Sequence, residues 1–564
     1  MVELECLPYG VGEADEGICL LLRMGSHRIL LDCGLRDIAP LEAASTPKGQ
    51  IELVFCSHAH SDHARGLLAF HRAFPQVPIC ASEVTTQLLP LNWPEEAATE
   101  LPFFTQALPW RTPVEFRDGL TVELWPAGHL PGAAAILLTY TPSELRGEAR
   151  PRSYTVFYTG DFFLSNCRLV DGLPLEEIRG LKPDVLILEG TYGTARHPRR
   201  RQQENQVAER ISRAISEKQS VLILAPFLGS GQELLMLLRS HHSFTGRNVD
   251  IWVDGTVATA CDFYLDLLPH FPTAVQNFAQ HQPLFWDDRV RPRVRRLILP
   301  EQYALIGQSP CIVLTDRTDR LELFYTSGNT PWLVLLPQYG RIAAPTLQST
   351  LDKTRRWPDN RLGPESADLP PVAVETYLLT DHCDGPGTSQ LIHNLRPQHV
   401  IFVHGASTYL ADLTNLEELQ NRYHLHCPAA GTPVELPIGE TFLQPSAPEG
   451  NFEGELTESG PLVTITIPDA VTADPRWQKF ADTGLIEVRW QGEELVLRGL
   501  SQWEILGQGS DRLLMQAENG IPTRDCCGIC KHYRAQHCWN PASPLVNLRV
   551  PEDGFCPAFE SRLG

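Results

Sequence analysis

No apolar run in the 564-residue chain is long enough to span a bilayer, which excludes a membrane protein built on spanning helices. The first residues, Met1-Val2-Glu3-Leu4-Glu5, are acidic and lead into no apolar segment of the kind a secretory signal needs. A cytoplasmic protein with no membrane partner is therefore expected. In that compartment fifteen scattered cysteines read as thiols or metal ligands, not as a disulfide framework. Positive charge is also scarce. A formal net charge of −21 argues against a protein that coats nucleic acid without specificity. The deficit is uneven: residues 196–368 hold 21 Lys and Arg against 18 Asp and Glu, a net of +3, while the remainder holds 26 against 50, a net of −24. One locally basic region thus sits inside an acidic molecule, as a phosphate-backbone substrate would favour.

What is present is a dense polar stretch, Ser57-His58-Ala59-His60-Ser61-Asp62-His63-Ala64-Arg65-Gly66, behind the apolar run Ile51–Cys56. That run reads as a buried strand of a covered sheet, so the polar stretch falls at its carboxyl end, where α/β sheets place their sites. Three imidazoles and a carboxylate within six residues are hard to explain as packing. His58 and His60 alternate and can point the same way from extended backbone, while Asp62 and His63 lie past the turn and reach a second point. Nitrogen and oxygen donors of this kind suit Zn²⁺, and two divided pairs suit two ions. The bland alternative is a solvated, His-rich loop.

His58-x-His60-x-Asp62-His63 after a hydrophobic strand resembles the signature of the metallo-β-lactamase superfamily, and other stretches extend the likeness. Leu30-Leu31-Asp32-Cys33-Gly34 ends a strand in a carboxylate that, by the resemblance, supports the His loop. Gly128-His129-Leu130-Pro131-Gly132 and Thr159-Gly160-Asp161 match the third and fourth metal motifs, with Asp161 as the bridging carboxylate. Glu189-Gly190-Thr191-Tyr192-Gly193 resembles the first extra motif of the β-CASP branch, the nucleases of the superfamily. In that branch a second domain interrupts the first before the last metal motifs. Here an α/β region at 196–368 does so, with a helix expected over Glu204–Lys218. The resemblance returns at Asp381-His382-Cys383-Asp384, where the branch has Gly-His-Ala-Asp, and at Val403-His404-Gly405. Members with His at the latter position are mostly RNA-directed. There are departures. Ser230 stands where the branch commonly has Arg, and the turns at Thr315–Arg320 and Gln338–Arg341 differ from the usual pattern.

The expected fold is α/β: an αββα metallo-β-lactamase sandwich formed by residues 1–195 and 369–445, with the β-CASP insert at 196–368. A small β-rich unit at 446–520 and a Cys-rich tail at 521–564 lie beyond the resemblance. In the tail, Cys527-x-x-Cys530 with Cys538 and Cys556 offers four thiols to a structural Zn²⁺, and an iron–sulfur cluster has the same thiolate requirement. Basic clusters at Arg196 with Arg199–Arg201, at Arg289–Arg296 and at Lys353–Arg356 read either as substrate contacts or as solvated surface.

The resemblance implies a two-zinc phosphodiesterase acting on single-stranded RNA. His58, His60 and His129 would hold one zinc, and Asp62, His63 and His404 the other, with Asp161 between them and Asp32 and Asp384 in support. The metals would generate hydroxide from water near neutral pH. His382, oriented by Glu189, would donate the proton to the leaving oxygen. Two other readings share these residues: a hydrolase of a small ester or phosphodiester with the insert as a lid, and a non-catalytic RNA-processing scaffold. The oligomeric state, a homo-oligomer included, stays open.

Overall fold

The computed structural model describes residues 4–439 except 14–15, 45–49, 96–104, 143–151, 299, 319–320, 322–323, 325–329 and 339–371. Beyond 439 it describes 452–453, 455–459, 462–466, 486–491, 494–499 and most of 527–561. Cys556, the cluster at Lys353–Arg356 and most of the Gln338–Arg341 turn lie outside the described residues. The chain divides into two units, Met1–Ala447 and Pro448–Gly564.

In the first unit, alternating strands with two apolar faces force a layered arrangement. One seven-stranded sheet runs, in spatial order, through Val434–Glu435, Leu4–Val11, Ile18–Met24, His27–Leu31, Leu53–Phe55, Ile79–Ser82 and Thr105–Leu108. The other runs through His424–His426, His399–Val403, Val185–Glu189, Tyr154–Tyr158, Ala134–Tyr140, Leu120–Pro126 and Val114–Glu115. Each is antiparallel over three neighbouring pairs and parallel over the other three. Cys6, Leu20, Leu22, Ile29 and Phe55 from the first sheet and Val122, Ile136, Val156, Ile187 and Ile401 from the second share one buried core. The opposite faces, with Leu30, Val54, Leu186 and Phe402, pack on Leu67, Phe70, Leu391 and Leu410 of flanking helices. This is a mixed α/β sandwich of the expected kind. The strand Leu4–Val11 is not legible in the sequence, because Pro8 and Gly10 interrupt its alternation. They are tolerated where the register shifts, and the outer neighbour pairs only with Glu5 and Cys6.

A third sheet of six strands, all parallel, lies in the order Arg293–Arg296, Asp250–Val253, Ile312–Thr315, Ser220–Leu224, Trp332–Pro337 and Val372–Tyr377. Its inner strands read as continuous apolar runs, as parallel strands covered on both faces must. Helices Arg200–Ser216 and Ser230–Ser240 flank it. Val372–Tyr377 is bonded into this sheet although the boundary expected from sequence, at 368, would leave it with the sandwich. The basic run on its edge is largely neutralised. Arg293 pairs with Asp250, Arg295 with Asp288, and Arg296 with Asp262, and the last two also lie over Trp252 and Trp286. Arg200 is buried, donating to Thr380 O and facing Glu204 and Glu233. It ties the first helix after the sandwich to the segment that carries His382.

The second unit holds a three-stranded sheet, Phe452–Glu453, Glu494–Gly499 and Ile486–Gln491, and a hairpin, Glu455–Ser459 with Leu462–Thr466. Its tail has a short turn at Cys527–Ile529 and a hairpin, Tyr533–Arg534 with His537–Cys538. Cys527, Cys530 and Cys538 are buried with Tyr533, Leu545 and Val550 in one small core. No helix among the described residues is long and apolar enough to cross a membrane.

Candidate metal centre

The polar residues singled out in the sequence stand at the carboxyl ends of sandwich strands. Asp32 follows His27–Leu31, His58 follows Leu53–Phe55, His129 follows Leu120–Pro126, Asp161 follows Tyr154–Tyr158, Glu189 ends its strand and His404 follows His399–Val403. Two of them bend the backbone to get there: Asp32 has φ +56° and His404 φ +52°, a conformation costly for residues with a Cβ.

These strand ends bring two ligand groups together. His58, His60, His129 and Asp161 offer one set of atoms within 4.8 Å of one another, and Asp62, His63 and His404 offer a second. Asp161 faces both. Its Oδ2 is 3.4 Å from His58 Nε2, 3.4 Å from His63 Nε2 and 3.7 Å from His129 Nε2, and its Oδ1 is 3.6 Å from His404 Nδ1.

Each imidazole is fixed through one nitrogen, which leaves the other for the centre. His58 Nδ1 donates to Ser57 Oγ at 3.0 Å, and His63 Nδ1 to Asp32 at 2.8 Å. His60 Nε2 donates to the Leu228 carbonyl at 3.3 Å, and His129 Nδ1 to the Asp381 carbonyl at 2.8 Å. His404 Nδ1 donates to Thr191 Oγ1 at 2.9 Å, and His404 Nε2 meets Asp62 Oδ2 at 3.2 Å. Anchoring the far nitrogen is how proteins orient imidazole ligands. Asp32 is the hub of this support, accepting from Ser57 N (2.6 Å), Ser57 Oγ (2.7 Å), His63 Nδ1 and Tyr158 OH (2.5 Å).

The donor set fits divalent metal. Inward nitrogens crowd each other: His60 Nδ1 is 3.1 Å from His58 Nε2 and 3.0 Å from His129 Nε2. Ligands ~2.0–2.1 Å from a tetrahedral ion stand about 3.3 Å apart. His63 Nε2 and Asp161 Oδ1 are buried with no hydrogen-bond partner, as atoms reserved for a cation would be. Burial, reinforced by the charge of His63, lowers the His58 pKa to about 4 and keeps it in the neutral form that ligates. Burial alone would raise the Asp161 carboxyl, but His404 and His63 hold it well below the usual range.

Beside the centre, Glu189 accepts from His382 Nδ1 at 2.8 and 2.9 Å, from Phe162 N at 2.8 Å and from Thr191 Oγ1. His382 Nδ1 lies 4.0 Å from Asp161. Asp384 stands apart. Its carboxylate caps the helix Gly385–Leu395 through Gly387 N at 2.9 Å and accepts from His197 N at 3.0 Å, so it secures the segment rather than a ligand. Ser57, Tyr158, Thr191, the Leu228 carbonyl and Asp381 belong to the site and were not expected there. The sequence signal for them is position alone: Ser57, Thr191 and Asp381 lie within the singled-out motifs and Tyr158 directly precedes one, while the Leu228 carbonyl has none.

A profile described as the Metallo-beta-lactamase superfamily matches residues 14–223. The chain is 50% identical over 564 residues to the uncharacterized protein sll0514 of Synechocystis sp., covering 98% of this chain and 96% of that protein. It is 30% identical over 257 residues to the probable RNase MJ4 of Methanocaldococcus jannaschii, covering 42% of this chain and 56% of that protein. It is 24% identical over 439 residues to cleavage and polyadenylation specificity factor 73 of Drosophila melanogaster, covering 73% of this chain and 61% of that protein. The chain thus spans less than two thirds of the length of the latter two relatives.

Proposed function

This chain belongs to the metallo-β-lactamase superfamily, in its β-CASP branch, and on that premise we propose that it is a two-zinc ribonuclease cutting single-stranded RNA. One observation carries the reading: two ligand groups meet at Asp161, and the Glu189–His382 pair stands next to both. His58, His60 and His129 would hold one ion and Asp62, His63 and His404 the other, with the Asp161 carboxylate facing both groups. When bound, the ions supply a nucleophilic water at neutral pH and offset charge on the phosphoryl oxygens.

The chain's own residues do the rest. His382 donates the proton to the leaving oxygen. Glu189 fixes its Nδ1, which leaves Nε2 to face substrate. Burial alone would depress the ring's pKa, but Glu189, with Asp161 and Asp381, lifts it to about 10, the direction a proton donor needs. Asp32 and Thr191 keep the imidazoles in register.

In the tail, Cys527, Cys530 and Cys538, with Cys556, would hold a structural zinc or an iron–sulfur cluster. Support comes from the tight turn in which Cys530 N donates to Cys527 O at 3.0 Å and from the shared burial of three thiols. Cys527→Ser with Cys530→Ser should release about one metal equivalent and expose the tail to protease, leaving hydrolysis intact.

The deciding experiment is cleavage of RNA labelled at either end, with elemental analysis of the same sample. Cleavage with about two zinc equivalents beyond the tail's supports the reading. A second reading, a hydrolase of a small phosphodiester, is favoured by the internal pairing of Arg293, Arg295 and Arg296. Turnover of a chromogenic phosphodiester without cleavage of RNA would establish it.

A further inference from the structure

Two departures from the β-CASP pattern meet at the edge of the centre. Ser230 stands where Arg is common and Asp381 where Gly is usual, and they lie 151 residues apart. Ser230 Oγ donates to Asp381 Oδ2 at 2.7 Å. A cationic side chain has been exchanged for a hydroxyl, and in the same place a carboxylate has been added.

That carboxylate faces the reacting region. It lies within 4.8 Å of ligand atoms of His129 and His382, and its side chain is 13% exposed. Oδ1 stands 3.7 Å from His382 Nε2, the nitrogen assigned to the leaving oxygen and beyond hydrogen-bond distance. Opposite is the backbone of Gly229. A Cβ there would meet Leu130 Cβ at 3.7 Å and both Asp381 Oδ2 and His60 Nε2 at 4.0 Å, so the glycine backbone lines the same edge of the centre as the carboxylate.

A carboxylate accepts hydrogen bonds and repels phosphoryl oxygens. A polar group of a nucleic acid that meets Asp381 must therefore donate a hydrogen bond. Along the backbone of a nucleic acid chain, the internal donor is the ribose 2′-hydroxyl, the group by which proteins tell RNA from DNA. We infer that Asp381, braced by Ser230, is a specificity-determining residue that accepts the 2′-hydroxyl beside the scissile phosphate and so selects RNA over DNA. The inference rests on the ribonuclease reading.

The test compares the full-length, zinc-loaded protein with Asp381→Ala and Ser230→Ala. Substrates are a single-stranded RNA, the all-deoxy oligomer of the same sequence, and the RNA with one 2′-deoxy position moved along it. Binding of the two polymers is followed by fluorescence anisotropy on the zinc-loaded protein in a His382→Ala background, where cleavage is slowed. The wild type should favour RNA by about ten- to hundredfold in kcat/KM, the worth of one hydrogen bond to a charged group. One deoxy position, at the cleaved linkage, should cause most of that loss. Asp381→Ala should collapse the RNA-over-DNA ratio in both cleavage and binding, and Ser230→Ala should reduce it partly. Zinc content and thermal unfolding show whether each variant is folded. Should Asp381→Ala fail that check, Ser230→Ala and the deoxy scan decide. A ratio unchanged in the folded variants, or a deoxy scan without a sensitive position, overturns the inference and leaves the ribonuclease reading standing. A wild type that cleaves neither polymer but hydrolyses a chromogenic phosphodiester overturns that reading, and the inference with it.

Discussion

The strand His399–Val403 carries an imidazole cluster at each end, and the two behave oppositely. At the carboxyl end His404 sits among Asp62, Asp161 and Glu189. Burial works against charge there, yet Asp161 and Asp62 raise its pKa above the ordinary value. At the amino end His399 Nδ1 accepts from His426 Nε2 at 3.0 Å, His399 Nε2 donates to Pro437 O at 2.9 Å, and the His424 ring lies tilted against His399 with centroids 5.0 Å apart. Burial lowers His399, and burial with repulsion from His399 and His424 lowers His426 to about 4. Imidazole density therefore does not make a metal centre. Carboxylates interleaved among the rings do, because they offset the charge of two cations held close.

The comparison can be broken most severely at the centre. His60→Ala or Asp161→Ala should abolish hydrolysis and release metal while the fold persists, since its core lies between the sheets. His426→Ala, the same kind of deletion at the other end of the strand, should leave metal content and turnover in place. Elemental analysis with an RNA cleavage assay checks both, and full activity in a metal-analysed His60→Ala protein would sink the assignment.

Next in size is His382→Ala, which should keep both ions and lose about 10²–10⁴-fold in turnover. The loss should shrink on a nitrophenyl ester, whose leaving group needs no proton, and Glu189→Gln should give a milder version. Equal slowing of good and poor leaving groups would remove His382 from the acid role. Asp32→Asn should weaken metal binding by about 10–100-fold, read by chelator competition, because an amide cannot accept from all four donors that meet there. Unchanged affinity would make the hub dispensable.

The smallest effect belongs to the amino-end cluster. A histidine whose folded pKa is about 4 binds its proton more readily when unfolded, near 6.5. Stability from His426 is thus complete above about pH 6.5 and falls as pH drops toward 4. After allowance for its partial exposure, the loss at pH 5 should be on the order of 1 kcal/mol. Thermal unfolding of the wild type and His426→Gln at pH 7 and 5 isolates it: the variant should lose less. Equal losses would mean that His426 is not held neutral.

The sandwich was legible wherever chemistry is local. His58 to His63 announce a site because four donors share one turn, and apolar runs such as Leu53–Phe55 announce the strands that carry it. His129, Asp161, His382 and His404 were legible only through resemblance, since a lone histidine after a strand looks like any other. Tyr158 and the Leu228 carbonyl were not legible at all. Tyr158 alternates like a core residue, yet its hydroxyl reaches Asp32 across 126 residues. A carbonyl has no signature in sequence. The sequence left the arginines at 293–296 open between substrate contact and solvated surface, because their acidic partners, Asp250, Asp262 and Asp288, come from a neighbouring strand, a helix and a loop.

The Leu228 carbonyl that holds His60 belongs to the loop between Ser220–Leu224 and Ser230–Ser240, while His404 lies beyond the whole third sheet. A chain emerging from the ribosome therefore gains its ligands in instalments. His58 to His63 come early, His129 and Asp161 follow, and about 240 residues separate Asp161 from the final imidazole. Until residue 404 has been made and has folded back onto Asp62, the second group lacks a member.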